Sequence, residues 1–172
     1  AIERATDHLD GGAFLADLAR RVAFRTVSVD DSRRDDLAAY LHNEIGPTLM
    51  ALGFDVSVHD NPVQGAPPML VARRVEDESL PTVLFYGHGD VVRGMDDRWA
   101  DGRDPWTLLV DGDRWYGRGS ADNKGQHSVN LAAIAAVIGV RGGVLGFNAI
   151  WLVEMGEEVG SPGLGEFCTA HS

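Results

Sequence analysis

The sequence has little of several features, and each shortage excludes a class of protein. It contains one cysteine, Cys168, so no disulfide can form within the chain, and this usage is typical of a reducing compartment. No apolar run reaches the roughly 18 to 20 residues that cross a bilayer, and the opening stretch AIERATDHLDGG lacks the basic-then-apolar pattern of a signal peptide. We therefore expect a cytoplasmic protein with no membrane partner.

Basic residues are also scarce. There are 15 Lys and Arg residues against 26 Asp and Glu, which gives a formal net charge of −11. Nucleic acid is not an expected partner, because phosphate binding requires clustered positive charge. Only 7 prolines and 44% hydrophobic residues argue against disorder. With 172 residues, the chain is expected to form one domain, or part of one, with a real core.

The order of apolar patterns predicts an α/β fold. Helical spacing predicts helices over 12–24 and 33–53, with Pro47 as a kink and Gly53 as a C-terminal stop in the second. A strongly apolar stretch predicts a third helix over 123–140. A further helix is expected to start with Ser161 as N-cap and Pro162 as its first residue. The predicted strands are 54–60, 68–75, 81–92 and 147–158, with a hairpin over 107–119.

These elements favour a three-layer α/β/α sandwich with a mixed, mainly parallel central sheet. The strand over 81–92 is so continuously apolar that we expect it to be central and covered on both faces. Ligand-binding groups are then expected at the C-terminal ends of the strands. The chain has no glycine-rich phosphate loop, which argues against a nucleotide-binding protein on a similar sheet.

Three separate positions bring imidazole or carboxylate groups to such strand or loop ends. His88 and Asp90 end the strand over 81–92, and their spacing suits either a metal-binding imidazole held by a carboxylate or a satisfied core histidine. Asp122 precedes a helix, where it is either a ligand or an ordinary cap. Glu157 and Glu158 follow a buried strand, as either cation ligands or exposed loop residues.

Taken together, the three positions favour a functional site over coincidence. They supply nitrogen and oxygen ligands without a thiolate, and this set suits zinc or a similar divalent ion in a hydrolytic site. The lone Cys168 is more consistent with a packing role than with a nucleophile. Arg103, Arg118 and Asn123 could contact a substrate carboxylate, although a loop-bracing role fits them better.

The chain resembles the two-zinc amidohydrolase and peptidase superfamily that includes acetylornithine deacetylase, succinyl-diaminopimelate desuccinylase, aminoacylase, carboxypeptidase G and carnosinase-like dipeptidases. The resemblance is carried by four motifs in the family's order: LFYGHGDVV, a tryptophan at 99 followed by DPW, DGDRWYGRGSADNKGQ, and EMGEEVGSPG. It is strong over 81–163 and rests on element order alone over 12–75.

The resemblance implies a role for each candidate residue. His88 and Glu158 would each bind one zinc ion, and Asp122 would bridge both; Co²⁺ or Mn²⁺ could replace zinc. Asp90 and Glu157 would be the catalytic pair, with Asp90 steadying the His88 ring and Glu157 acting as general base and acid on a zinc-bridged water. The resemblance also implies a cis Asp122–Asn123 peptide. The substrates would be small peptides or N-acyl amino acids, as in dipeptidases, carboxypeptidases or deacylases.

The same resemblance implies that residues 1–172 are the N-terminal part of a catalytic domain. The family's lid or dimerisation domain, the C-terminal part of its catalytic domain and one further ligand for each zinc would lie beyond this sequence. We therefore expect weak metal binding and no hydrolysis by this chain alone, and a homo-oligomer for the full-length protein. The alternative is a non-catalytic binding or regulatory module that retains the peptidase scaffold.

Overall fold

The computed structural model describes residues 1–100 and 102–171, and their helices and strands alternate along the chain. The helices are α1 (Ile2–Asp10), α2 (Ala13–Ala23), α3 (Arg34–Tyr40), α4 (Gly46–Ala51), α5 (Lys124–Val140) and α6 (Leu164–Ala170). The strands are β1 (Asp55–His59), β2 (Met69–Arg74), β3 (Thr82–His88), β4 (Leu109–Asp111), β5 (Arg114–Tyr116) and β6 (Asn148–Glu154). None of the described helices is both long enough and apolar enough to span a bilayer.

The helix expected over 33–53 forms, but not as one regular helix. A π-helical turn, Leu41–Ile45, separates α3 from α4, and Pro47 lies in the first turn of α4. Proline cannot donate a backbone hydrogen bond to the preceding turn, so a local widening of the helix just before it relieves the conflict. Gly53 follows the helix with a φ of 80°, which confirms it as the stop.

A mixed sheet forms the centre of the fold. Its strand order is β1-β2-β6-β3, with β1–β2 and β2–β6 antiparallel and β3–β6 parallel. The α/β class and the mixed sheet are confirmed, while parallel pairing among these four strands is limited to β3 and β6. Strands β4 and β5 form the predicted hairpin as a separate antiparallel pair.

Helices cover both faces of the sheet, which gives the expected three layers. On one face, Trp151 of β6 packs in a large apolar core with residues of α3, α4 and α5 such as Leu37, Leu49 and Leu131. On the other face, Leu152 packs in a smaller cluster with Phe167 of α6. The alternation of Trp151 and Leu152 between the two cores follows from the two-residue period of a strand.

Two sequence expectations are wrong in detail. Strand β3 is at the edge of the described sheet and not at its centre. Two of its residues, Leu84 and Tyr86, are 62% and 48% exposed. The continuous apolar run of this strand therefore did not indicate that other elements bury both of its faces. Ser161 and Pro162 precede α6 without starting it, because Gly163 is the N-cap and the Ser161 side chain bonds elsewhere.

The parallel pairing of β3 with β6 positions the candidate residues. His88 lies opposite Glu154 in the register, so both strands end at the same edge. The chain after β3 reaches Asp90 and then pairs through Val91 with Val27. The chain after β6 forms a short 3-10 turn, Glu157–Val159. Two candidate clusters are therefore adjacent in space although about 70 residues separate them in sequence.

Candidate metal centre

His88 lies at the inner wall of the site and is only 4% exposed. Its Nδ1 atom lies 3.2 Å from Asp90 Oδ1 and 3.1 Å from the Asp90 backbone oxygen. Its Nε2 atom lies 3.0 Å from Asp122 Oδ1 and 3.8 Å from Glu157 Oε2. One ring nitrogen is thus held by Asp90, and the other faces a group of carboxylates.

The pKa of His88 reports the negative character of this site. Burial alone would lower this pKa. The hydrogen bond to Asp90 and the negative charge of Asp90 oppose burial, and together with the hydrogen bond to Asp122 and the charge of Glu157 they raise the pKa to about 9. A histidine that binds a proton this firmly shows that the surrounding carboxylates favour a positive charge. A metal cation satisfies the same preference when it replaces the proton on Nε2.

Asp90 is fully buried and connects both sides of the site. Its Oδ1 atom accepts a hydrogen bond from the Glu157 backbone N–H at 3.2 Å, and its Oδ2 atom accepts one from the Glu158 N–H at 3.1 Å. The carboxylate that steadies the His88 ring therefore also holds the turn that carries the two glutamates. The geometry supports the predicted role of Asp90 in orienting the His88 ring. The two hydrogen bonds by which Asp90 holds the Glu157–Glu158 turn were not predicted from the sequence.

Glu157 and Glu158 point into the same region as His88. One ligand atom from each of the three residues lies within 4.8 Å of the other two. Burial raises the pKa of Glu158; the His88 charge opposes this, and the negative charges of Asp122, Asp90 and Glu157 reinforce it. The Glu157 side chain is 45% exposed, so it borders both the cluster and the open solvent.

Asp122 reaches the site from the loop before α5. The Asp122–Asn123 peptide is cis, as the resemblance implied. Asn123 is the N-cap position of α5 and no side-chain cap bond is made there, so the capping interpretation of Asp122 has no support. The Asp122 side chain is 76% exposed and directs Oδ1 toward His88. Its exposure leaves room for a further ligand on its outer side.

The donor set fits a divalent cation of the zinc type. An imidazole nitrogen and carboxylate oxygens converge, while Cys168 is exposed on α6 and does not contribute to this group. The structure thus brings together His88, Asp90, Asp122, Glu157 and Glu158. One difference concerns Glu157, whose carboxylate belongs to the same group of mutually close ligand atoms as that of the predicted ligand Glu158. Which carboxylate binds metal and which moves protons stays a prediction.

Two further residues support the His88 backbone. His127 Nε2 lies 2.6 Å from the His88 carbonyl oxygen, and Thr26 Oγ1 donates to the Gly89 carbonyl at 2.7 Å. Burial lowers the pKa of His127 to about 4, which keeps its ring neutral with a single N–H to donate. Sequence reasoning missed both. The only available signal for His127 was a histidine in an otherwise apolar helix, four residues after Asn123.

Lys124 is a buried amine behind the site. Its Nζ atom donates to the Phe24 carbonyl at 2.7 Å and lies 5.1 Å from the centre of the Tyr40 ring. Burial lowers the pKa of Lys124 to about 7, and the charge of Asp90 partly opposes this shift. The residue anchors the start of α5, and with it the loop of Asp122, to the end of α2.

Three residues considered for substrate binding are engaged in bracing contacts. The Arg103 guanidinium lies 4.0 Å from the Tyr116 ring centre and bonds Asp111. Arg118 lies 5.8 Å from the Trp99 ring centre and donates to the Gly94 carbonyl at 3.5 Å. The Asn123 side chain donates to Gln126 at 2.8 Å. The bracing interpretation is therefore the better supported one.

The loop that carries Asp122 closes tightly against α5, and a glycine substitution tests this. A Cβ atom on Gly125 would lie 1.9 Å from the Ser120 backbone oxygen, which cannot rotate away. We expect Gly125→Ala to lower the free energy of unfolding by about 1–3 kcal/mol, measured by urea denaturation. Gly165→Ala is the control, because nothing lies within 4 Å of its Cβ in α6. Equal stability of the two variants would contradict the tight loop.

Comparison with known proteins shows similarity to a family of peptidases. The model of the peptidase family M20/M25/M40 matches residues 84–171, which include every candidate residue. The Cys-Gly metallodipeptidase DUG1 of Candida albicans is 34% identical over 169 residues, covering 89% of this chain and 33% of that protein. The Beta-Ala-His dipeptidase of Mus musculus is 41% identical over 102 residues, covering 58% of this chain and 20% of that protein.

The fold is also similar to that of a solved dipeptidase structure. The crystal structure of human carnosine dipeptidase 1 superposes with a TM-score of 0.85 at 30% identity, covering 97% of this chain and 37% of that one. The present chain thus spans a third or less of the length of these two curated relatives. Since the family model matches just over half of the chain and includes the whole candidate site, the chain belongs to the peptidase family M20/M25/M40.

Proposed function

We propose that residues 1–172 form the N-terminal part of the catalytic domain of a zinc-dependent hydrolase of peptide or N-acyl amide bonds. The observation that carries this proposal is the meeting of His88, Glu157 and Glu158, with Asp122 beside them, at the common ends of β3 and β6. A fold-only explanation would not require so many carboxylates around one buried histidine. The chain's coverage of its relatives supports a longer catalytic domain.

In this proposal, His88, Asp122 and Glu158 would hold zinc, with Asp122 as the ligand common to two ions; Co²⁺ and Mn²⁺ are alternatives. The support is the nitrogen and oxygen donor set and the raised pKa of His88, which marks a site suited to positive charge. Bound zinc would supply Lewis acidity, which lowers the pKa of a water and polarises a substrate carbonyl. Asp90 fixes the His88 ring so that Nε2 faces inward.

Glu157 is proposed to move the proton. Its carboxylate lies 3.8 Å from His88 Nε2 and remains partly open to solvent, so it borders the space that a substrate would enter. The carboxylate accepts a proton from the attacking water and then donates it to the departing amine. The hydrogen bond from its backbone N–H to Asp90 keeps the residue at this border.

Small peptides, and dipeptides first, are the proposed substrates. The support is that two relatives matched over 89% and 92% of this chain are named as metallodipeptidases. Carboxypeptidase and N-acyl-amino-acid deacylase activities are the other members of the same reaction class. A homo-oligomer and a cytoplasmic location for the whole protein stay predictions. The second rests on the single cysteine in these 172 residues.

The chain alone is proposed to bind metal weakly and to be inactive. Asp122 with either His88 or Glu158 provides two protein ligands for each ion, whereas catalytic zinc sites commonly have three. The missing ligands would come from the rest of the whole protein. The competing proposal is a non-catalytic module that keeps the scaffold. Metal analysis of the whole protein separates the two: about two zinc ions with dipeptide hydrolysis support the enzyme, and none supports the module.

A zinc titration of the 172-residue chain tests the site directly. We expect His88→Ala to weaken zinc binding by at least the ~10- to 100-fold that loss of a supporting residue costs. The matched control is His42→Ala, since His42 is exposed on the π-helical turn and is not part of the group formed by His88, Glu157 and Glu158. Calorimetry measures the affinity, and circular dichroism verifies that both variants are folded. Equal zinc affinity of the two variants would exclude the proposed centre.

A further inference from the structure

Glu154 is a buried carboxylate that the proposed reaction does not use. It ends β6, is 1% exposed and lies opposite His88 in the strand register. Its Oε1 atom accepts hydrogen bonds from the Tyr86 hydroxyl at 2.5 Å and from Ser161 Oγ at 2.9 Å. Its Oε2 atom is buried and has no hydrogen-bond partner among the described residues.

These bonds close the segment that carries the two glutamates of the site. Glu154 precedes Glu157 and Glu158, and Ser161 follows them, so the bond between Glu154 and Ser161 joins the two ends of the turn. The Ser161 N–H also donates to the Gly156 carbonyl at 2.8 Å. Tyr86 then fastens this closed segment to β3, two residues before His88. The arrangement joins the base of the turn to the strand that carries the metal-binding imidazole.

The fold alone gives little reason for such an arrangement. A buried carboxyl group with one unpartnered oxygen is costly, and an apolar side chain at the end of β6 would pack without that cost. Ser161 adopts a φ of 51°, in the left-handed region that residues other than glycine rarely occupy. Such a backbone persists when its surroundings hold it, and unusual conformations of this kind concentrate at functional sites.

The bonds from Asp90 do not duplicate this function. Asp90 holds the Glu157 and Glu158 backbone N–H groups from the β3 side, which places the tip of the turn. Glu154 holds the base of the turn through hydroxyl groups on both sides. With the tip and the base both fixed, the direction of the Glu157 side chain is limited more tightly than by either contact alone.

We propose that Tyr86, Glu154 and Ser161 form a positioning clamp that aims the Glu157 carboxylate, and that the clamp acts on the rate of the reaction and not on metal retention. The inference rests on the proposed function of Glu157. None of the three residues is proposed to touch the substrate or the metal. Each acts through the geometry of the turn.

The test uses Tyr86→Phe in the whole zinc-loaded protein, with Tyr116→Phe as the matched control. Tyr86 is half-exposed, so loss of its hydroxyl removes one bond to Glu154 with little effect on packing. We expect Tyr86→Phe to lower kcat for dipeptide hydrolysis by about 10- to 100-fold, because small misplacements of a reacting group have effects of this size. KM and zinc content should stay at the parent values, and Tyr116→Phe should match the parent throughout.

Ser161→Ala tests the clamp from its other end. It should lower kcat in the same way, and the double variant should lose less than the product of the two single effects, because both hydroxyls act through Glu154. Parent kcat in Tyr86→Phe would overturn the clamp, as would a loss of zinc that parallels the loss of activity. If the unaltered protein binds zinc and hydrolyses no amide, the proposed function itself fails, and the clamp fails with it. Failure of the proposed function is measured on the unaltered protein, whereas failure of the clamp alone is measured on the variants.

Discussion

Glu157→Gln in the whole protein is expected to reduce amide hydrolysis by about 100- to 10,000-fold, the range that a positioned general acid and base contributes. Glutamine has the size of glutamate but does not accept and return a proton at neutral pH. The side chain is 45% exposed and its backbone bond to Asp90 is unaffected, so the fold should be unchanged. Steady-state kinetics and zinc analysis of the same samples measure the effect.

Zinc content decides between two roles for Glu157. If the residue moves protons, the variant keeps the parent zinc content while its turnover falls. If the variant loses zinc, Glu157 is a ligand, as its distance from His88 and Glu158 would also allow, and the proposed assignment is wrong. Glu166→Gln, which changes an exposed glutamate of α6, is the control and should retain full activity. Hydrolysis at the parent rate by Glu157→Gln would exclude the general-base role.

Asp90→Asn is expected to weaken zinc binding by about 10- to 100-fold, as changes to the residues that orient metal ligands typically do. The Asp90 carboxylate faces three donors: the His88 ring and the backbone N–H groups of Glu157 and Glu158. Asparagine offers one acceptor oxygen and one NH₂ group, so at least one N–H donor would face another donor. Zinc titration of the 172-residue chain measures the change in affinity.

The same substitution should also lower stability. Asp90 is fully buried, and each buried polar group left without a partner costs about 1–3 kcal/mol. Urea denaturation of the metal-free chain isolates this effect from metal binding. Asp113→Asn, in the exposed hairpin turn between β4 and β5, should change neither quantity. Parent-like zinc affinity in Asp90→Asn would show that the Asp90 backbone oxygen alone orients His88.

The main elements of the fold follow from local sequence patterns. Helix α2 is readable from its apolar face, and the β4–β5 hairpin from its turn residues. Helix α5 and the strands that end at His88 and Glu154 are readable from continuous apolar runs. The meeting of His88 with Glu157 and Glu158 was predictable from one further rule, since parallel strands present their C-terminal ends at one edge of a sheet.

Other features depend on contacts that local patterns do not encode. The position of β3 at the edge of the described sheet depends on which strand pairs with it, and an apolar run is compatible with both positions. The start of α6 was placed too early because Ser161 resembles an N-cap, yet its hydroxyl bonds to Glu154. Likewise, the bond between Tyr86 and Glu154 depends on the exact strand register. No spacing rule within one segment reveals it.

The register that places His88 opposite Glu154 has a consequence for folding. A slip of β3 by one residue along β6 would shift His88 by about 3.3 Å and turn its ring to the opposite face. A chain with that error would lose the nitrogen donor and the grip of Asp90 together. An ion that binds only molecules with the correct strand register stabilises those molecules alone. Bound zinc would therefore increase the fraction of chains in which β3 and β6 are correctly paired.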